Sequence, residues 1–279
     1  MERVRVDAHQ HFWNMEKLSY PWLIPAYGPI FRTFEAPELE PQLRSAGMDK
    51  TVIVQAANAF EDTDYMLETA EAYDWVGGVV GWVPLDRPDE VSRKLEAYAK
   101  NPYLKGVRHL IHEEPDPDWV IRPEVIEGLK VLAQFNMSFD VVAVFPNHLK
   151  HIPTLAEKVP NLRMVIDHLA KPPIKDRGWE PWAGQLAAAA ASPNVYAKIS
   201  GLNTAASEKW SAAELQRYTD YAIEVFGASR LMFGSDWPVA ILNGDYASVW
   251  RETNALLEGR TREEIDAILG GTAVEFYRL

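Results

Sequence analysis

The chain has 279 residues, of which 47% are hydrophobic and 24% are charged, a balance typical of globular proteins rather than of disordered ones. Its net charge of −12 repels phosphate backbones and anionic lipids, so we expect neither a nucleic acid nor a membrane as a partner. The sequence contains no cysteine, which excludes disulfides and thiolate chemistry. A metal ion could therefore be held only by imidazole and carboxylate groups.

The N-terminus leads directly into a strand pattern and carries no apolar leader. No stretch approaches the roughly 18 apolar residues that a membrane span requires. We therefore expect a cytoplasmic protein. The sequence does not determine the oligomeric state, and it is compatible with a homo-oligomer.

Eight short β-rich runs recur along the chain and alternate with segments of helical periodicity. Eight repeats of one strand and one helix favour a closed parallel barrel over an open sheet, so the sequence predicts a single (β/α)8 TIM-type barrel domain over residues 1–279. The predicted strands are 4–8, 51–55, 78–83, 106–110, 139–144, 164–168, 195–199 and 231–234. The clearest predicted helices are 64–73, 89–100, 123–135, 180–191 and 212–226.

The first connection, residues 12–33, is long and rich in tryptophan, tyrosine and proline. It follows a strand, and barrel enzymes place their active sites on the loops that follow strands. We expect this segment to form a wall or a lid of the site.

His9 and His11 close the first predicted strand. Because side chains alternate across a strand, the two imidazoles point the same way, about 6.5 Å apart along the chain. The pair at the C-terminal end of a barrel strand indicates a functional site. Two hydrogen-bonded structural histidines are the alternative.

His168 at the end of strand six and Asp236 after strand eight bring a third imidazole and a carboxylate to the same rim. All four residues lie at strand ends of one ring, so they are predicted to converge. Two alternatives stay open at this point. Asp167 could be the inward residue in place of His168, and Asp236 could cap the following helix.

Strand four ends with Arg108 and His109. Arg108 suits a bidentate grip on substrate oxygens, although a salt bridge at the rim would use it equally well. His112 lies in an acidic loop, and the sequence does not decide its role. His148 and His151 have a spacing that suits a metal, but two solvated helix histidines explain them better.

The motifs that carry these residues together resemble the amidohydrolase superfamily, in the branch of sugar lactonases that includes L-fuconolactonase and L-rhamnonolactonase. The resemblance covers nearly the whole chain. It rests on the opening DAHQHFW (7–13), the block GVRH (106–109) with EPDPD (114–118), the segment DHLAKPP (167–173) and FGSDWP (233–238).

The resemblance implies that His9, His11, His168 and Asp236 form the catalytic set and, if a metal is bound, its ligands. Members of the wider superfamily usually add a lysine, histidine or glutamate on strand five. This chain departs from that pattern, since its strand five offers only Asp140. We therefore expect at most one divalent ion such as Zn²⁺, and some relatives are understood to work without any metal.

The predicted activity is the opening of a sugar lactone, such as an L-fucono- or L-rhamnono-lactone, to the free acid in carbohydrate catabolism. Asp236 would accept a proton from water and return it to the leaving oxygen. Substrate contacts are expected from four residues within these motifs, Arg108, His109, Trp13 and Trp237, and from Trp22 in the first connection. Ordinary barrel packing is the alternative for the tryptophans.

Two other functions fit the same sequence. One is a Zn²⁺-dependent decarboxylase or amidase of the same superfamily, which the missing strand-five ligand disfavours. The other is a non-catalytic protein that binds sugar acids on a barrel scaffold, which would have no use for Asp236.

Overall fold

The computed structural model describes residues 4–279. Eight strands form one sheet in the order β1 to β8, and every neighbouring pair is parallel. The predicted barrel is confirmed. The strands are β1 (Val6–Gln10), β2 (Lys50–Val54), β3 (Val76–Gly81), β4 (Leu104–His109), β5 (Ser138–Val141), β6 (Arg163–Ile166), β7 (Val195–Ile199) and β8 (Leu231–Phe233).

The barrel closes between β1 and the residues that follow β8. The backbone N–H of Asp236 donates to the carbonyl of His9 at 2.8 Å, and the N–H of His11 donates to the carbonyl of Trp237 at 2.7 Å. A parallel bridge joins Gln10 to Trp237. This pairing holds β1 extended to Gln10, two residues beyond the predicted end, and it fixes the segments that carry His9, His11 and Asp236 against each other.

Several strands end earlier than predicted. β5 stops at Val141 and β6 at Ile166, and the backbone then turns at the C-terminal rim of the barrel. His168 therefore lies on a turn after its strand and not on the strand itself. The shift matters because a turn can aim a side chain in directions that a pleated strand does not offer.

Helices cover the outside of the barrel, as the alternating pattern predicts. The α-helices are α1 (Ala36–Ala46), α2 (Phe60–Ala72), α3 (Pro88–Tyr98), α4 (Pro123–Gln134), α5 (Ile152–Lys158), α6 (Trp182–Ala190), α7 (Ala212–Phe226), α8 (Tyr246–Leu256), α9 (Arg262–Asp266) and α10 (Thr272–Tyr277). Within residues 4–279 every helix is too short or too polar to cross a bilayer.

The C-terminal helix α10 closes the N-terminal end of the barrel. Its Ala273, Phe276 and Tyr277 pack with Val6 and Val52 and with other small apolar side chains of the strands, all nearly inaccessible to solvent. Burying a large apolar side chain stabilises the fold by roughly 1.5–3 kcal/mol. The packed end leaves the opposite, C-terminal rim as the open face of the barrel.

Candidate active site

Four predicted residues meet at the C-terminal rim, and we call His9, His11, His168 and Asp236 the rim centre. One carboxylate oxygen of Asp236, Oδ1, lies 3.7 Å from His9 Nε2, 3.4 Å from His11 Nε2 and 3.8 Å from His168 Nε2. The Nε2 atoms of His9 and His11 are 3.1 Å apart. All four side chains are buried. The structure thus brings together the three imidazoles and the carboxylate that the sequence places at the ends of strands one, six and eight.

Two left-handed backbone segments aim His168 and Asp236. Four consecutive residues after β6, His168 to Lys171, have φ values of 56°, 49°, 61° and 53°, and Asp236 has a φ of 57°. For residues with a side chain this conformation costs roughly 1–2 kcal/mol each. Strain of this kind is found where surrounding structure holds a functional group in place. We therefore interpret both segments as devices that direct side chains into the rim centre.

Gly201, two residues after the end of β7, makes room for both side chains. A β-carbon at this position would lie 2.5 Å from Asp236 Oδ2 and 2.7 Å from His168 Nδ1. Gly201 also has a φ of 57°, which a glycine adopts without strain. The rim centre can pack this closely only because residue 201 has no side chain.

Each imidazole is oriented by a partner on its Nδ1 atom. His11 Nδ1 lies 2.7 Å from the carbonyl of Val54, which can only accept, so His11 carries its proton there and presents an unprotonated Nε2 to Asp236. His168 Nδ1 contacts Ser200 Oγ at 2.8 Å, and His9 Nδ1 lies 3.2 Å from Asp167 Oδ1.

Burial sets the charges of the rim centre. Loss of solvent lowers the pKa of His9 and His11 and lowers that of His168 to about 3, so all three imidazoles are neutral at pH 7. Burial by itself would raise the pKa of Asp236. The electrostatic interaction with His168, the contact with His11 and the charge of Lys171 outweigh it, so the pKa of Asp236 falls below its usual range and the carboxylate stays ionised.

The rim centre fits a metal ion. His9, His168 and Asp236 each offer one ligand atom, and these atoms lie within 4.8 Å of one another. The second carboxylate oxygen, Asp236 Oδ2, is buried without a hydrogen-bond partner, and such an atom normally has one. Neutral imidazoles and a carboxylate are ligands that suit Zn²⁺. Among residues 4–279 this is the one group of His, Asp and Glu side chains with such spacing.

Beneath the rim centre lies a second set of buried charges, which we call the interior layer: Arg108, Asp140, Asp167 and Lys198. Lys198 Nζ donates to Asp140 Oδ2 at 2.6 Å and lies 3.1 Å from Asp167 Oδ1. Arg108 donates to Asp167 Oδ2 at 3.0 Å. From α10, which closes the N-terminal end of the barrel, the hydroxyl of Tyr277 donates to Asp140 at 2.6 Å.

The two carboxylates of the interior layer differ in their pKa shifts. Burial raises the pKa of Asp140, and Lys198 only partly offsets this. For Asp167 burial acts in the same direction, but Lys198, His9 and Arg108 together lower its pKa well below the usual range. Asp167 therefore stays ionised between two cations and the imidazole of His9. The sequence left open whether Asp167 or His168 faces inward, and in the structure both do.

Arg108 reaches the cavity but is already engaged. Its Nε donates to the side chain of Gln55 at 2.9 Å, a terminal nitrogen donates to the Gln55 carbonyl, and the other binds Asp167. The bidentate grip on substrate expected from the sequence would need donors that these partners occupy. A role in binding substrate stays a prediction for this residue.

A cavity of about 390 Å³ opens above the rim centre. Its floor is polar, with charged and imidazole groups, and its walls are mostly aliphatic and aromatic. The first loop supplies Trp22, Tyr27 and Ile30, as expected for a wall. The other lining residues are His11, Ala56, Arg108, Leu110, His112, Val142, Val144, His168, Lys171, Thr204, Asp236, Val239 and Leu242.

Three residues predicted to contact substrate, Trp13, Trp237 and His109, lie outside this cavity. Trp13 is completely buried and donates to the carbonyl of Arg32. Trp237 packs edge-on against Phe12 and Phe34. The prediction that these rings face the ligand is replaced by the packing alternative, since closure of the barrel turns both behind the wall. Of the three tryptophans predicted to contact substrate, Trp22 does line the cavity, and its indole N–H donates to the carbonyl of Ala56.

His109 also points away from the rim centre. Its ring stacks on Trp119 with centroids 4.2 Å apart, accepts the indole N–H of Trp82 at 3.0 Å and contacts Glu114 at 2.7 Å. Alternation along β4 explains the difference, because Arg108 faces the barrel interior and its neighbour must face outward. His109 therefore organises the outer packing of β4.

The remaining histidines divide as follows. His112 lines the cavity, and burial lowers its pKa to about 4. His148 accepts from the backbone N–H of Val144, and His151 contacts Asp118 at 2.9 Å. His148 and His151 are both buried, so they are not the solvated pair expected from the sequence.

Sequence reasoning assigned no role to Lys198, Lys171 and Thr204. Lys198 lies in a strand whose other buried residues, Val195, Ala197 and Ile199, are apolar, and a lysine there is a signal of a buried ion pair. Lys171 and Thr204 lie in loops, where side-chain direction does not follow a period. Only the structure places them in the cavity.

Comparisons with known proteins agree with the fold and the motifs. The amidohydrolase family model matches residues 6–279. An L-fucono-1,5-lactonase of Burkholderia ambifaria is 36% identical over 99% of this chain and 96% of its own length, and one of Burkholderia multivorans is 31% identical over 100% and 97%. A crystal structure of an amidohydrolase from Burkholderia multivorans with bound zinc superimposes with a TM-score of 0.91 at 31% identity, over 99% of both chains.

Proposed function

Because this chain belongs to the amidohydrolase family, we propose that it is a hydrolase that opens a six-carbon sugar lactone to the free sugar acid. The observation that carries the proposal is the position of Asp236. Its ionised carboxylate lies in the floor of the cavity among three neutral imidazoles. The relatives named L-fucono-1,5-lactonase support a lactone of the L-fucono type, with the L-rhamnono type as its close analogue.

The reaction needs one proton acceptor that later becomes a donor. As the oxygen of a water molecule bonds to the lactone carbonyl carbon, Asp236 takes a proton from that water. The bond between the carbonyl carbon and the ring oxygen then breaks, and Asp236 returns the proton to the ring oxygen, which becomes a hydroxyl. The product acid loses its own proton to solvent, so proton release measures the reaction.

His168 stabilises the carbonyl oxygen as it gains charge, because Ser200 at its Nδ1 allows a proton on Nε2, whereas the unprotonated Nε2 of His11 has none to donate. His11 and His168 line the cavity beside Asp236 and are held by partners on their Nδ1 atoms. Fixed dipoles of this kind need no reorganisation during the reaction. A single Zn²⁺ held by His9, His168 and Asp236, with His11 beside it, would polarise the same carbonyl and acidify a bound water.

The cavity fits a sugar lactone in size and in polarity. Ligand pockets for small molecules span roughly 300–1,000 Å³, and this cavity measures about 390 Å³. Polar groups on its floor can bind ring hydroxyls, and the apolar wall with Trp22 and Tyr27 can cover the C–H face of a sugar. A Zn²⁺-dependent decarboxylase or amidase is disfavoured, because Asp140, the one carboxylate on β5, is bound to Lys198 and Tyr277.

The experiment that tests this function follows proton release from aldonolactones by protein of measured metal content. We expect turnover of L-fucono- and L-rhamnono-lactones. An unsubstituted lactone of the same ring size is the matched control, and it should react several orders of magnitude more slowly, because a site built around hydroxyls rejects a ligand without them.

Two results would count against the proposal. Preference for the plain lactone would contradict the sugar assignment and leave the hydrolytic site standing. Absence of any lactone hydrolysis, in protein that binds sugar acids, would favour the non-catalytic binding protein.

A further inference from the structure

Lys171 is the accessible full positive charge in the cavity. Its side chain is 26% exposed, whereas that of Arg108 is 5% exposed and is paired with Asp167. The other basic groups that line the cavity are His11, His112 and His168. His11 and His168 are buried, and imidazoles buried in this way are uncharged at neutral pH, while desolvation lowers the pKa of the more exposed His112 to about 4. A ligand that brings negative charge into the cavity therefore meets Lys171 as its cationic partner.

The left-handed turn delivers Lys171 together with His168. The two residues lie three apart in a segment whose four φ values are all positive, and the N–H of Lys171 donates to the carbonyl of His168 at 2.8 Å. Both side chains line the cavity. In a right-handed turn the chain would follow a different path, so the strained backbone is what brings the cation beside the imidazole.

The ammonium of Lys171 is held but not saturated. It donates to Thr204 Oγ1 at 2.7 Å and to the Gly201 carbonyl at 3.2 Å. An ammonium has three donors, so one N–H remains. Asp236 Oδ2 lies 3.9 Å away, too far for a hydrogen bond. The remaining donor is thus free for an oxygen atom of a ligand.

We propose that Lys171 binds the acyl oxygens of the substrate, stabilising the oxyanion as it forms and holding the carboxylate of the ring-opened product. The inference rests on the proposed lactonase function. Negative charge moves in that reaction from Asp236, as it takes the proton of water, to the carbonyl oxygen of the lactone. Lys171 faces Asp236 before the transfer, and the same cation can serve the acyl oxygen after it without any change in the total charge of the site.

A direct test measures the binding of two probes by calorimetry at neutral pH. The first is the six-carbon sugar acid that the lactone yields, and the second is the alditol with the same hydroxyl configuration but no carboxylate. We expect the wild type to prefer the acid. Lys171→Gln keeps amide donors for Thr204 and Gly201 but removes the charge, so we expect it to weaken acid binding about 10-fold to 100-fold and to leave alditol binding nearly unchanged.

Three further variants make the result decisive. Lys171→Arg keeps the charge and should retain most of the preference for the acid. Lys171→Met removes both charge and donors and should lose the preference as Lys171→Gln does. Lys175→Met removes an exposed lysine from the same connection and should bind both probes as the wild type does.

The proposal is overturned if Lys171→Gln keeps the acid preference while its melting temperature falls, because Lys171 would then only clamp the turn to Gly201 and Thr204. It is also overturned if the wild type shows no preference for the acid. Because the readout is binding and not turnover, failure of the lactonase function itself appears separately, in the proton-release assay.

Discussion

The rim centre and the interior layer bury charge to the same degree but leave it in opposite states. In the interior layer the cations of Arg108 and Lys198 face the carboxylates of Asp140 and Asp167 at short range. In the rim centre one carboxylate, Asp236, faces three neutral rings, and the ammonium of Lys171 lies 3.9 Å away. Close ion pairs give a rigid support, and a carboxylate without a cation in hydrogen-bond contact gives a site that can take a proton, a metal ion or a substrate.

The two sets are joined through His9. Its ring lies in the rim centre, while its Nδ1 atom is 3.2 Å from Asp167 and 3.1 Å from Lys198. The support therefore positions one of the rim imidazoles directly. Substitutions in the interior layer should mainly lower the stability of the fold, and substitutions in the rim centre should mainly lower the activity.

The largest effect on stability is expected for Lys198→Met. Loss of the cation leaves Asp140 and Asp167 buried without their main partner, and breaking a buried ion pair costs about 3–5 kcal/mol. The free energy of unfolding from urea titration measures this effect. Lys50→Met is the control, because Lys50 is a strand lysine at the barrel surface whose ammonium donates to the backbone carbonyl of Asp74. A loss below about 1 kcal/mol for Lys198→Met would mean that the interior layer is not a support.

A somewhat smaller effect is expected from zinc, which should bind the rim centre and not the interior layer. At a free concentration of 100 times its Kd, an ion bound only by the folded protein stabilises it by about 2.7 kcal/mol. Thermal unfolding should show this shift for the wild type and for His151→Ala, and His168→Ala should lose it. Elemental analysis should give one ion per chain. Two ions per chain, or a full shift in His168→Ala, would contradict the assignment.

Gly201→Ala is expected to have the smallest effect on stability of the three, about 1–3 kcal/mol, from crowding and from the positive φ. The new methyl group would displace Asp236 and His168, so kcat should fall at least about 10-fold. Gly227→Ala is the matched control. Gly227 also has a positive φ, of 72°, but a β-carbon there meets nothing within 4 Å. If both variants keep wild-type kcat, the close approach at Gly201 does not matter for the reaction.

The barrel could be predicted from the sequence because each strand and helix carries its own period. The convergence of His9, His11, His168 and Asp236 was predictable for a related reason, since residues at the C-terminal ends of parallel strands share one rim. The prediction named the right residues even where it placed one of them on the wrong element. His168 reaches the centre from a turn after β6 rather than from the strand.

Side-chain direction in the loops could not be predicted. Trp13 and Trp22 come from the same connection, yet only Trp22 lines the cavity. Trp237 follows Asp236 directly and turns into the packing behind the wall. Lys171 depends on four left-handed residues, none of them a glycine, and no sequence rule predicts such a turn. Binding residues outside the strand ends therefore required the structure.

The measurement that tests the account most directly is kcat for Asp236→Asn, determined with its melting temperature. Asparagine is nearly isosteric with aspartate and tolerates the φ of 57° at this position, so the fold should keep a melting temperature close to that of the wild type. Loss of the group that accepts and returns the proton should lower kcat by about 10² or more. Turnover near the wild-type value in this folded variant would remove Asp236 from the reaction and contradict the account.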